Sequence, residues 1–140
     1  MQSISAINSI ADLQQAVAAI PYACFLGIEC RESESAPLFV LPYRPANIGN
    51  ARLPALHGGV IGGFLENAAI LHLMWAREAE GIPKIVDFSI DYLRSAGPQD
   101  LFARCEIVRQ GMRVANVLIT AWQADAARPV ATARAHYLLA

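Results

Sequence analysis

From Ala55 to Ala76 the chain reads ALHGGVIGGFLENAAILHLMWA, an apolar segment that carries one acidic side chain, Glu66. The segment predicts a long helix from about Gly58 to Glu80, stopped by Gly81-Ile82-Pro83. Val60, Ile61, Phe64, Leu65, Ile70, Leu71, Leu73, Met74 and Trp75 cover most of its circumference, so the rest of the chain has to enclose it. A membrane span fits these residues poorly. Glu66 would be costly in lipid, no second span exists and no basic cluster flanks the segment.

The remaining sequence supplies the enclosure. Residues Ser9 to Ile20 predict a short amphipathic helix with Ser9 as its N-cap and Pro21 as its end, while Tyr22 to Gly27 is apolar and fits either state. Ile28–Ser35 and Pro37–Tyr43 read as a hairpin, and Arg44–Leu56, with its prolines and asparagines, as an ordered loop. After the helix, Val86–Leu93, Leu101–Val108, Val114–Gln123 and Val130–Leu139 are four strand patterns separated by turns at Gly97-Pro98, Gln110-Gly111 and Asp125–Pro129. Short connections favour antiparallel neighbours. The expectation is one α+β domain over residues 1–140, a curved antiparallel sheet wrapped around one long central helix. Ala131, Ala133 and Ala135 would give the last strand a flat face for close packing.

Charge and cysteine content narrow the function. At a net charge of -1 without a Lys/Arg run, nucleic acid and anionic membrane are not expected partners. The 55% hydrophobic composition exceeds what a small monomer needs and points to an oligomer. Cys24, Cys30 and Cys105 form no CxxC pair and read as buried packing thiols of a cytoplasmic protein. No His, Cys or acidic pair has metal-ligand spacing, and neither GxGxxG nor a P-loop is present, so no metal or nucleotide cofactor is expected.

HGGVIGGFLENAA at His57–Ala69, IVDFSIDYLRSAG at Ile85–Gly97, RQGMRVANV at Arg109–Val117 and PVATARAHYLL at Pro129–Leu139 together resemble the hotdog-fold thioesterases, especially their phenylacetate-degradation (PaaI-like) branch. The resemblance runs from about Asn47 to the end of the chain. It implies a hotdog fold and hydrolysis of a small or aromatic acyl-CoA, with coenzyme A entering only as part of the substrate. Glu66, nine residues after His57, takes the position of the family's acid, as nucleophile or general base, and Gly58 that of its oxyanion donor, with Gly59 beside it. His57 opens the helix. The coenzyme A residues implied by position are Tyr92, Arg94, Ser95, Arg109, Gln110, Gly111 and Arg113. Two family helpers are replaced: a usual Asn or Gln six residues before the His is Ala51 here, leaving Asn50 or Asn47 to act, and Ile85 stands where some relatives have Ser or Thr.

The chemistry explains the pattern. Thioester hydrolysis needs a donor to the developing oxyanion and a carboxylate that attacks or activates water. A glycine-rich helix start offers exposed N–H groups with room for substrate. Gly58 and Glu66 are eight residues apart, roughly 12 Å along a helix, too far to serve one carbonyl. The pair therefore has to come from two chains of a homodimer, with Gly58, Gly59, Gly62 and Gly63 as a smooth strip for another backbone; this branch also forms dimers of dimers (homotetramers). The competing readings are a non-catalytic acyl-CoA binding module and a hotdog hydratase or dehydratase.

Overall fold

Ser9 begins the first helix as its position predicts. Its hydroxyl accepts from the Asp12 N–H at 3.1 Å, capping α1 (Ile10–Ala19) in a computed structural model that describes residues 7–77 and 81–139. Asp12 reaches back to the Asn8 N–H at 3.0 Å, which satisfies a second free donor. Pro21 ends α1 and also opens α2 (Pro21–Leu26), where a proline at the first helical position sacrifices no hydrogen bond. The ambiguous stretch is thus helical. It closes on Gly27 at φ 73, a left-handed conformation that glycine adopts without strain.

The expected hairpin is β1 (Glu29–Arg31) against β2 (Leu38–Leu41), with Cys30 opposite Phe39. The segment expected to be loop contains a 3-10 turn at Pro45–Asn47 and a short antiparallel pair, β3 (Ile48–Asn50) and β4 (Ala55–Leu56). Strands this short leave too little alternation to be seen among prolines and asparagines.

The long helix, α3, spans Gly58–Arg77. Its expected end at Glu80 lies outside the described residues. His57 sets its beginning: the Nδ1 atom accepts from the Gly59 N–H at 2.9 Å, and the His57 N–H donates to the Asn47 carbonyl at 2.9 Å. At the other end the Arg77 guanidinium donates to the Leu139 carbonyl at 3.0 Å, so both ends are tied to neighbouring segments.

The sheet is β1-β2-β6-β7-β8-β5, antiparallel throughout, with β5 (Lys84–Tyr92), β6 (Leu101–Gln110), β7 (Val114–Trp122) and β8 (Ala131–Leu138) packed on α3. The face toward α3 is notable for small residues. Ala103, Ala115, Ala121, Ala131, Ala133 and Ala135 are all buried there, so Phe64, Leu65 and Leu71 on the facing side of the helix can lie close to the strands. Although α3 is long and apolar enough to cross a bilayer, most of its apolar stretch is buried inside this fold as the core helix. β5 forms one edge of the sheet, paired on one side only with β8.

Two of the cysteines are packing residues as expected. Burial pushes the Cys30 thiol up to about 12, and the same cause raises that of Cys105 on the helix-facing side of β6. Cys24 departs from the expectation: it lies on the outer side of α2 and is exposed.

Capping of α3 by His57 gives a direct test. Replacing His57 with Ala should lower stability by about 1 kcal/mol, whereas Asn, which also caps well, should restore most of it. Urea unfolding checks this, and an Ala variant as stable as the parent would show that the Nδ1 contact does not hold the helix start.

Candidate functional site

At 3.6 residues per turn, Gly59, Gly62, Gly63 and Glu66 fall within one sector of about 100° on α3. Over the first half of α3 this sector is where enclosure stops, whereas Ile70 and Leu73 further along it are buried. Gly59 is exposed and Gly62, Gly63 and Glu66 are half-buried, while Phe64, Leu65 and Ala68 on the opposite side are fully covered. Glu66 is anchored through its backbone, whose carbonyl accepts from the buried Tyr137 hydroxyl at 2.9 Å. Its carboxylate forms no ion pair or side-chain hydrogen bond among the described residues. Tyr137 is held above its ordinary range by burial first, then by the charges of Glu66 and Cys105, so it stays a neutral donor.

Aromatic side chains border the sector on both flanks. The Tyr92 hydroxyl donates to the Gly58 carbonyl at 2.7 Å, and a methyl group at Gly58 would stand 3.2 Å from the Tyr92 ring. Tyr92 and Phe88 also face Gly62, at 3.8 and 3.9 Å from where its Cβ would be. On the other flank the Tyr22 ring lies so close to Gly63 that a Cβ there would be 2.8 Å from it. The glycines expected to admit a second backbone thus admit aromatic rings of their own chain at positions 58, 62 and 63. Sequence reasoning missed Tyr22, because an undecided Tyr22–Gly27 gave its ring no direction.

The helix start has one donor free. The Gly59 N–H is taken by His57, but the Gly58 N–H precedes the first intrahelical acceptor and donates to nothing among the described residues. With Nδ1 accepting, the His57 imidazole carries its proton on Nε2. Asn50 is occupied elsewhere, its Oδ1 accepting from the Arg52 and Leu53 N–H groups at 3.0 and 3.3 Å to shape the β3–β4 turn. Asn47 lies nearer the helix start through its carbonyl bond to His57.

The seven residues expected around coenzyme A divide into two groups. Tyr92, Arg94 and Ser95 line, together with Gly58, a cleft of about 400 Å³ at the start of α3, where the Arg94 guanidinium donates to the Pro129 carbonyl at 2.6 Å. Arg109, Gly111 and Arg113 line a second cleft of about 510 Å³ with Asn116 and His136, and Gln110 ends the adjoining β6. Registers place the groups at opposite ends of the sheet. Tyr92 is opposite Ala131 on β8, whereas Val114, beside the second group, is opposite Leu138. Seven residues of strand separate them by roughly 23 Å. A single chain does not bring the expected residues together. Sequence reasoning also passed over Asn116, whose buried Oδ1 has no partner among the described residues, and the His136–Asp87 contact at 2.7 Å beside it. Among the described residues no three His, Cys, Asp or Glu side chains cluster as metal ligands.

Comparison with known proteins bears on this arrangement. Residues 53–130 match the model of the Thioesterase superfamily. No curated protein matches the chain. Among solved structures, a Chromobacterium violaceum protein is 52% identical, with 94% of this chain and 96% of that one covered and a TM-score of 0.74. A Ralstonia eutropha phenylacetic acid degradation-related protein, provisionally assigned as a thioesterase, is 19% identical over 91% of this chain and 98% of its own, at a TM-score of 0.75. A Haemophilus influenzae thioesterase is 16% identical over 96% and 93%, at 0.76. The last two likenesses are of fold: a curved six-stranded antiparallel sheet around one central helix. With more than half its length matched by the family model, and α3 and the sheet arranged in the hotdog manner, the chain belongs to the thioesterase superfamily.

Proposed function

We propose that this protein is an acyl-CoA thioesterase of the phenylacetate-degradation type, acting on a small or aromatic acyl group with Glu66 as its catalytic carboxylate. The observation that carries the reading is a half-buried Glu66 whose carboxylate has no partner among the described residues, on the open side of the first half of a helix whose first N–H is likewise unpartnered among them. The substrate carbonyl oxygen accepts from the Gly58 N–H, which stabilises the negative charge formed there as the carbon becomes tetrahedral. Glu66 supplies the other half, either taking a proton from the attacking water or attacking the carbon itself, and collapse expels the coenzyme A thiolate. Asn47, beside His57, is better placed than Asn50 to serve as the polar helper. His57 contributes by holding the helix start. The designation of the Ralstonia eutropha neighbour agrees with the acyl class.

The site is completed by a second chain. Gly58 and Glu66 belong to one helix and are roughly 12 Å apart along it. Pairing the free edge of β5 antiparallel with the same edge of a partner places one Tyr92 end beside the other Lys84 end. That brings the two coenzyme A groups, separated within a chain, toward a common site. Arg109 and Arg113 then meet the phosphates. A homodimer is the smallest unit with this geometry, and pairing of dimers gives the tetramer expected of this branch; the cytoplasm is its expected location.

A second reading, an acyl-CoA binding module without turnover, is favoured by Ala51 and Ile85 at the two helper positions. One assay separates the two. Free-thiol release from a panel of acyl-CoA esters should occur with the parent protein and fall by about 100-fold or more in Glu66→Gln. Equal rates in both would remove Glu66 from the mechanism, and tight ester binding without thiol release would establish the binding module.

A further inference from the structure

The aromatic flank on α2 belongs to none of the residues assigned so far. Tyr22 and Phe25 stack with ring centroids 6.0 Å apart and planes 18° from parallel, and both remain open, at 48% and 71% exposure. An exposed stacked pair needs a reason to hold its place. Here Tyr22 is seated against Gly63, and the Phe25 carbonyl accepts from the Arg44 guanidinium at 2.8 Å, fixing the end of α2 on which Phe25 stands. Gly63 precedes Glu66 by three residues, so the two share one side of α3. The seated ring therefore borders the approach to the carboxylate, opposite Tyr92. The large apolar side chains Phe64 and Leu65 of α3 are fully buried and closed to a ligand.

We propose that the Tyr22–Phe25 pair is the wall that selects the acyl group, and that it favours a flat aromatic acyl chain over a small aliphatic one. This rests on the reading of Glu66 as the reactive centre. An aromatic acyl group extending from a carbonyl near Glu66 meets the pair edge or face, and ring–ring contact there adds to simple apolar burial. Tyr22 reaches this position only because residue 63 lacks a side chain. Ala at 63 pushes the ring out while leaving the buried side of the helix unchanged. Phe25 supports Tyr22 from behind, so either substitution should erode the same preference.

Binding of two non-hydrolysable ketone analogues, S-phenacyl-CoA and S-acetonyl-CoA, tests this whether or not the protein turns over. Titration calorimetry should show the phenacyl compound bound about tenfold more tightly by the parent. That ratio should fall toward unity in Phe25→Ala and in Gly63→Ala, and persist in Phe25→Tyr. An unchanged ratio in both disruptive variants, or no binding of either analogue by the parent, would overturn the proposal. So would a shift of Phe25→Ala to a smaller oligomer, which would make the pair a contact between copies of the chain. A preference in binding without any thioester hydrolysis would refute the hydrolase reading and leave the aromatic wall standing. Hydrolysis with a ratio indifferent to Phe25 and Gly63 would do the reverse.

Discussion

The close approach of α3 to an alanine-faced sheet is the contact on which everything else depends. A helix with Phe64, Leu65 and Leu71 on its inner side needs a shallow surface beneath it, and the alanines of β6, β7 and β8 provide one. Larger residues there would lift the helix and open voids along its length. Because the strands cover only the inner side, the outer sector bearing Gly59, Gly62, Gly63 and Glu66 is left for other groups. The backbone of Glu66 is thus held by burial of its neighbours and, through its carbonyl, by Tyr137.

How much of this was legible depended on the kind of residue involved. The long helix is legible from the length of its apolar run and its Gly-Ile-Pro stop, and the four later strands from alternation that runs over enough residues to be read. β3 and β4 are two or three residues long, and α2 has six, so neither carries a period. Glu66 and His57 stood out by chemistry in an apolar stretch. The role of the glycines was harder to read. Spacing shows that something approaches them closely, but only three dimensions show that it is Tyr92, Phe88 and Tyr22 of the same chain. Spacing alone does not distinguish Asn50 from Asn47, of which the first shapes its own turn through Oδ1 and the second meets His57 through its backbone carbonyl.

The split coenzyme A residues and the separation of Gly58 from Glu66 lead to the same conclusion by different routes. The first is a matter of strand register, the second of helical rise, and neither is relieved by side-chain movement within one chain. Both are relieved by an antiparallel partner across the free β5 edge. On the proposed reading, oligomerisation is part of the site and also a means of hiding apolar surface such as the exposed Val86 on that edge.

Subunit complementation tests that claim most directly. Gly58→Pro removes the N–H donor at a helical position that tolerates proline, and Glu66→Gln removes the acid. Each alone should be inactive. Co-expressed and assembled at random, half the dimers are mixed, and one of the two sites in each mixed dimer contains an intact Gly58 from one chain and an intact Glu66 from the other. The account predicts recovery of roughly a quarter of the parent activity. Mixed assemblies, demonstrated by differently tagged chains, that remain as inactive as the two variants alone would contradict it and return the site to a single chain.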